Sequence, residues 1–130
     1  MNTTSYLLIR LALGVSLFGH GLVRLPKLQI FSTWMVGNFE KSMLPKVAVV
    51  PFSYTLPIIE FTAGFLIILG LVTKPALIIA GTAMIMLMFG TTLIEQWEFL
   101  PSQMIHVLFA AVSFQFIENN YWALDSLLKK

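Results

Sequence analysis

From Ala76 to Ile94 the chain runs without a single charged residue. A helix of roughly 20 apolar residues, rising about 1.5 Å per residue, crosses the hydrocarbon core of a bilayer. The rest of the sequence agrees with that reading. Hydrophobic residues make up 58% of the chain, charged residues 11%, and the mean hydropathy is +0.86. Soluble domains are about 45–50% apolar and about a quarter charged. So little charge leaves too little polar surface for water, whereas lipid tolerates it.

Three further apolar segments flank this one, at about Tyr6–Leu25, Pro51–Val72 and Leu100–Ile117. The sequence therefore predicts an all-α polytopic membrane protein, a four-transmembrane helix bundle forming one domain over residues 1–130. Segment four is marginal in length. Pro26 to about Lys46 mixes Trp34, Phe39, Glu40 and Lys41, which suits an interfacial segment between helices 1 and 2. Pro51 and Pro57 do not veto the second span, because neighbouring helices can satisfy the carbonyl a proline frees. Arg10 interrupts the first segment where a cleavable signal would be uninterrupted, so that segment is retained as a helix. Four crossings put both termini on one side. Lys74, Lys129 and Lys130 fall there, against Arg24, Lys27, Lys41 and Lys46 opposite, a near-even balance from which a cytoplasmic placement of the termini is expected.

Several functions drop out early. No stretch pairs basic residues with aromatics as a nucleic-acid surface does. The chain has no cysteine, which removes thiolate chemistry and iron–sulfur ligation by this chain alone. Met84, Met86 and Met88 spread around their helix as gap fillers or lipid-facing residues, not as a metal site.

Ionisable groups inside spans are costly and mark candidate sites. At about 100° per residue, His20, Arg24, Gly21 and Gly14 fall between about −80° and +40° of Arg10 on the first helix. Glycines allow close helix approach, so this arc faces the bundle. Pro57, Glu60 and Gly64 share a face of the second span. His20, Glu60 and His106 reach depths of about 8, 13 and 9 Å from the same side, with Arg24 and Glu95 nearer the mouth. Arg10 and Gln115 lie toward the opposite face, placed to pair there.

A buried glutamate needs a cationic partner or a proton, and the bland reading is that His20 or Arg24 supplies one and merely holds the bundle together. The functional reading makes His20, Arg24, Glu60 and His106 a ligand site, in which such side chains hydrogen-bond a quinone headgroup and move protons. Two histidines on separate helices also suit haem, or with Glu60 a metal, but no spacing motif supports either. No catalytic residue is assigned.

Arg10-Leu-Ala-Leu-Gly14 followed by Phe18-Gly-His20-Gly-Leu-Val-Arg24 resembles the first-helix signature of the DoxX family of small membrane proteins. Pro57-Ile-Ile-Glu60-Phe-Thr-Ala-Gly64, running into Leu69-Gly70-Leu71-Val-Thr73-Lys74, is similar to its second-helix block. Trp122-Ala-Leu-Asp125 is similar to its C-terminal ending. Arg24 stands where lysine is expected, Asn119 and Asn120 where glycines are common, and Ala123 where serine is usual. His106 has no matching family position, so its membership of the cluster rests on depth. The resemblance implies a four-helix fold in a bacterial cytoplasmic membrane and association with redox membranes. Some relatives are linked to quinone-coupled thiosulfate oxidation or terminal quinol oxidase assemblies, others to oxidative-stress complexes.

Two function classes follow. One is a redox-linked or quinone-associated membrane subunit with its polar site in one half of the bilayer. The other is a non-catalytic accessory subunit of a larger membrane complex, or a self-associating one, whose cluster only stabilises the bundle.

Overall fold

The computed structural model describes residues 1–129; Lys130, counted above with the tail-side lysines, lies outside the described residues. It is all helical, with no strand among the described residues. The elements are α1 (Thr3–Arg24), α2 (Leu28–Phe39), α3 (Lys46–Leu69), α4 (Thr73–Leu93), α5 (Leu100–Gln115) and a last short helix, α6 (Leu124–Leu128). Three-residue turns of 3-10 helix join α1 to α2, precede α5 and follow it.

Local chemistry sets the ends. The Asn2 side chain accepts from the Ser5 amide at 2.8 Å and caps α1. Gly70, at φ 66, closes α3 in the left-handed conformation that glycine adopts without Cβ strain, and the Leu71 amide returns to the Leu66 carbonyl at 2.9 Å. Only Gly70, Leu71 and Val72 separate α3 from α4, so the two run antiparallel. Pro101 sits in the first turn of α5, where its missing N–H costs nothing.

Three helices are long and apolar enough to cross a bilayer: the continuous run Thr3–Phe39, Lys46–Leu69 and Thr73–Leu93. The protein thus has three such helices among the described residues where the sequence predicts four spans; α5 is shorter, with 16 residues. The connection read as an interfacial segment folds as α2, a fifth helix of 12 residues. The helix breaks at Lys27 (φ −136, ψ 42), and α2 then packs on α3. A hydrogen bond of 2.6 Å between the buried Ser32 and Ser53 hydroxyls pins it there, and the Phe39 ring rests on Gly90 of α4.

The main seam joins α1 and α3. In lipid, helices gain little from hydrophobic burial and associate through packing of small residues. Gly14, Gly21 and Gly64 are the points of closest approach: a Cβ at Gly21 would run into the Phe61 backbone, and one at Gly64 into that of Phe18. The second tight pair is α4 with α5. Leu13, Leu17, Leu56, Ile67, Leu77 and Ala80 fill the middle of the bundle. Outside, Leu8 and Val15 of α1, Phe65 of α3, Ile85 and Phe89 of α4 and Leu108 of α5 are exposed. An apolar exterior around a tightly packed interior is the inside-out distribution of a membrane protein.

Candidate functional site

Glu60 and Arg24 are reached from different helices and meet inside the bundle. Nη1 of Arg24 donates to both Glu60 oxygens, at 3.0 and 2.8 Å. The glutamate side chain is 4% exposed and the arginine side chain 26%, so the acid lies within and the base at the rim. The Arg24 guanidinium also sits 4.5 Å above the Phe31 ring of α2, a cation–π contact that fixes its plane.

The two histidines lie beside this pair. Their ring centroids are 6.0 Å apart and nearly perpendicular. Each ring is oriented by its own helix: Nδ1 of His20 meets the Ser16 carbonyl at 2.6 Å, and Nδ1 of His106 meets the Ser102 carbonyl at 2.7 Å. A carbonyl only accepts, so both rings carry their proton on Nδ1 and donate it. Nε2 of His106 then accepts from the Ser16 hydroxyl at 2.7 Å. Ser16 therefore holds both histidines, one through its carbonyl and one through its side chain.

His20, Arg24, Glu60 and His106 all line one cavity of about 180 Å³, at the end of the bundle covered by α2. A dry cavity of about 150 Å³ holds a benzene ring. Phe31, Trp34, Met35, Phe39, Met84 and Phe99 give it an apolar, ring-rich wall. Gln103 and Thr91 add a polar strip. The Thr91 hydroxyl is spent on the Leu87 carbonyl at 2.8 Å, so its oxygen can only accept from the Gln103 amide nitrogen, at 2.9 Å. Gln103 Oε1 is left buried with no donor.

The cavity brings together all four sequence-predicted residues, His20, Glu60 and His106 expected at one depth and Arg24 expected nearer the mouth. Glu95, expected near the mouth, does not line the cavity; it is exposed at φ 55, and Gln96 takes the lining position. Ser16, Gln103 and Thr91 were missed. Ser16 had a signal, one helical turn before His20 on the same face, whereas Gln103 sits in a terminal turn where a polar residue draws no notice.

The other end of the bundle corrects the pairing expected for Arg10. Gln115 is exposed and does not meet it. Arg10, only 2% exposed, donates instead to Asn120 Oδ1, to the Trp122 carbonyl at 2.6 Å and to the Ile68 carbonyl at 3.4 Å. Asn120 in turn donates to the Thr73 hydroxyl at 3.2 Å. Asp125 accepts from the Val72 and Thr73 amides, both at 2.8 Å, and so caps α4 from the chain's tail. Burial pushes the Asp125 carboxyl up, but hydrogen bonds from Thr73 and Val72, with Lys129 nearby, outweigh it and hold the carboxyl below its usual value. A groove of about 810 Å³ between the start of α4 and the tail is lined in part by this cluster, through Thr73, Asn120 and Asp125.

An all-helical membrane protein is defined, with one end sealed by an internal polar knot and the other enclosing a small polar cavity. The chain belongs to the DoxX family, whose model matches residues 5–97. The match includes His20, Arg24 and Glu60 and stops before α5, so His106 enters the site from outside it. No curated protein and no solved structure gives a significant match to the chain.

Proposed function

We propose that this protein is a redox-linked, quinone-associated subunit of a bacterial cytoplasmic membrane, binding a ring-shaped headgroup at His20, Arg24, Glu60 and His106. The reading rests chiefly on one observation: these four side chains, from three helices, border a single ring-sized cavity walled by aromatic and apolar residues. His20 is itself exposed, which supports a lateral opening through which an isoprenoid tail reaches lipid. Purified protein extracted into organic solvent should release quinone by chromatography, and His20→Ala or Glu60→Ala should lower the yield. Quinone-free extracts from native membranes would leave the accessory-subunit reading in place. That reading has its own support, because Arg24 and Glu60 already satisfy each other.

The same proposal takes the whole chain as one domain with four crossings, α5 being the fourth, and with both termini cytoplasmic. The alternation of helix direction supports it: the Arg10–Asn120 contact brings the start of α1 to the segment after α5. With no native thiol, single cysteines at Asn2, Lys41, Glu98 and Lys129 report the topology through an impermeant reagent. Asn2 and Lys129 should label together, and Lys41 and Glu98 together from the other side. Opposite accessibility of Asn2 and Lys129 would remove α5 as a crossing.

A further inference from the structure

One side of the cavity is made by α2, through Phe31, Trp34, Met35, Asn38 and Phe39. Trp34 lines the cavity and is also 54% exposed, so at that point the wall is one side chain thick. The floor behind it is closed, with Leu56, Glu60 and Met84 all buried. The other helices are cross-tied at this level: α1 to α3 by Arg24 and Glu60, α1 to α5 by Ser16 and His106, α4 to α5 by Thr91 and Gln103. α2 is held more lightly. Among the described residues, its one side-chain hydrogen bond to another helix joins Ser32 to Ser53. Both of its ends are built to bend. The backbone leaves the helical region at Lys27 (φ −136, ψ 42), and residues 40–45 beyond Phe39 form turns without a helix.

Lifting α2 also strands little. The Ser53 hydroxyl donates to the Val50 carbonyl at 2.6 Å, so Ser32 is the donor within the serine pair, and parting the two leaves no buried donor without an acceptor. Met35 and Phe39 would pass from the protein interior into lipid, which is as apolar, so no hydrophobic term opposes the motion. We infer that α2 is a hinged lid: it swings about Lys27, with residues 40–45 as slack, parts Ser32 from Ser53 and admits the guest of the cavity from the headgroup side. The swing lifts Phe31 off the Arg24 guanidinium, so opening also bares the Arg24–Glu60 pair. The inference concerns access, and it holds for a guest of any chemistry.

With no native thiol in the chain, introduced cysteines report on the lid. Met84→Cys puts a thiol on the cavity floor, and Ser113→Cys puts one in packed interior that lines no cavity. In the full chain in detergent, N-ethylmaleimide should modify Met84→Cys faster than Ser113→Cys, followed peptide by peptide by mass spectrometry. Adding Ser32→Ala removes the tie. It should speed modification of Met84→Cys by about two- to tenfold, the factor one hydrogen bond contributes to an opening equilibrium, and leave Ser113→Cys unchanged. Adding Ser32→Cys with Ser53→Cys, at hydroxyl oxygens 2.6 Å apart, brings two sulfurs within reach of a disulfide. Oxidation should then slow Met84→Cys to the rate of Ser113→Cys, and dithiothreitol should restore it. One rate in oxidised and reduced protein overturns the lid and leaves the exposed edge at His20 as the way in, with the ring reading untouched. Ser32→Ala speeding both cysteines alike overturns it too, because the whole bundle would then be loosening.

Discussion

The two ends of the bundle each tie an arginine into a polar cluster, and they use it differently. At the tail end Arg10 is surrounded by neutral acceptors, Asn120 and two backbone carbonyls, all within one connected knot that also ties down Thr73. At the α2 end Arg24 meets a carboxylate, its side chain is 26% exposed, and the pair borders open space with two histidines. Tyr6 Oη, Arg10 Nε and Ser113 Oγ are buried without partners, but these residues line neither cavity. An ionisable residue within a span is thus a prompt to ask what it leaves unspent. The tail end uses its hydrogen bonds to hold the chain together, and the α2 end leaves Gln103 Oε1 unpartnered beside a cavity.

The comparison predicts its largest stability loss at the tail end. Arg10→Ala leaves Asn120 Oδ1 and the Trp122 carbonyl without their donor, and should cost about 3–5 kcal/mol in thermal unfolding of the detergent-solubilised protein. Limited proteolysis should then cut between Phe116 and Trp122, because the tail loses its main tether. A variant that keeps its melting temperature and its tail would break the comparison at its stronger end.

At the α2 end the two halves of the ion pair should be unequal. Arg24→Ala leaves a carboxylate that is 4% exposed without its cation, whereas Glu60→Ala leaves an arginine already 26% exposed and free to swing toward headgroups. Arg24→Ala should therefore cost about 2–3 kcal/mol and Glu60→Ala about 1 kcal/mol, with Glu60→Gln milder still because it keeps a hydrogen-bonding oxygen. Equal losses would mean that both partners are equally enclosed, and the distinction between wall and rim would fall.

These assignments differ in how far the sequence reveals them. Apolar runs announce the long helices, and the face shared by Pro57, Glu60 and Gly64 is buried as helical spacing predicts. Counting residues from the helix ends brings His20, Glu60 and His106 to one level because antiparallel helices share a common frame of depth. What depth cannot give is azimuth. Glu95 has the right level but a left-handed backbone turns it outward, and Arg10 takes Asn120 over Gln115 because the chain folds back after α5. Asp125 capping α4 is equally invisible, since it joins residues more than fifty positions apart.

The capping contact gives a smaller, pH-dependent effect. The folded carboxyl of Asp125 titrates below its unfolded value of about 3.9. Its contribution is therefore complete above about pH 4 and is lost as pH falls through the folded value. Asp125→Asn should cost about 1 kcal/mol at neutral pH, typical of a helix N-cap. It should also flatten the acid limb of a melting-temperature profile between about pH 5 and pH 2. An unchanged acid limb would show that the tail does not hold α4.

The smallest stability effect is expected at the residue most important to the ligand reading. His20 is exposed, and its one hydrogen bond runs to a carbonyl a turn back on its own helix. Replacing it by alanine strands no buried donor, because only its own Nδ1–H disappears, and it opens no interior cavity. The cost should stay within about 0.5 kcal/mol, as for surface substitutions generally. Adding a quinone-class ring ligand should raise the melting temperature of the unaltered protein through its preference for the folded state, and leave His20→Ala unmoved. The pairing of these two results carries the comparison, since a site built for a ligand separates binding from stability and a site built for packing does not. Were His20→Ala to destabilise the bundle as much as Arg10→Ala, the α2 end would prove to be a second structural knot.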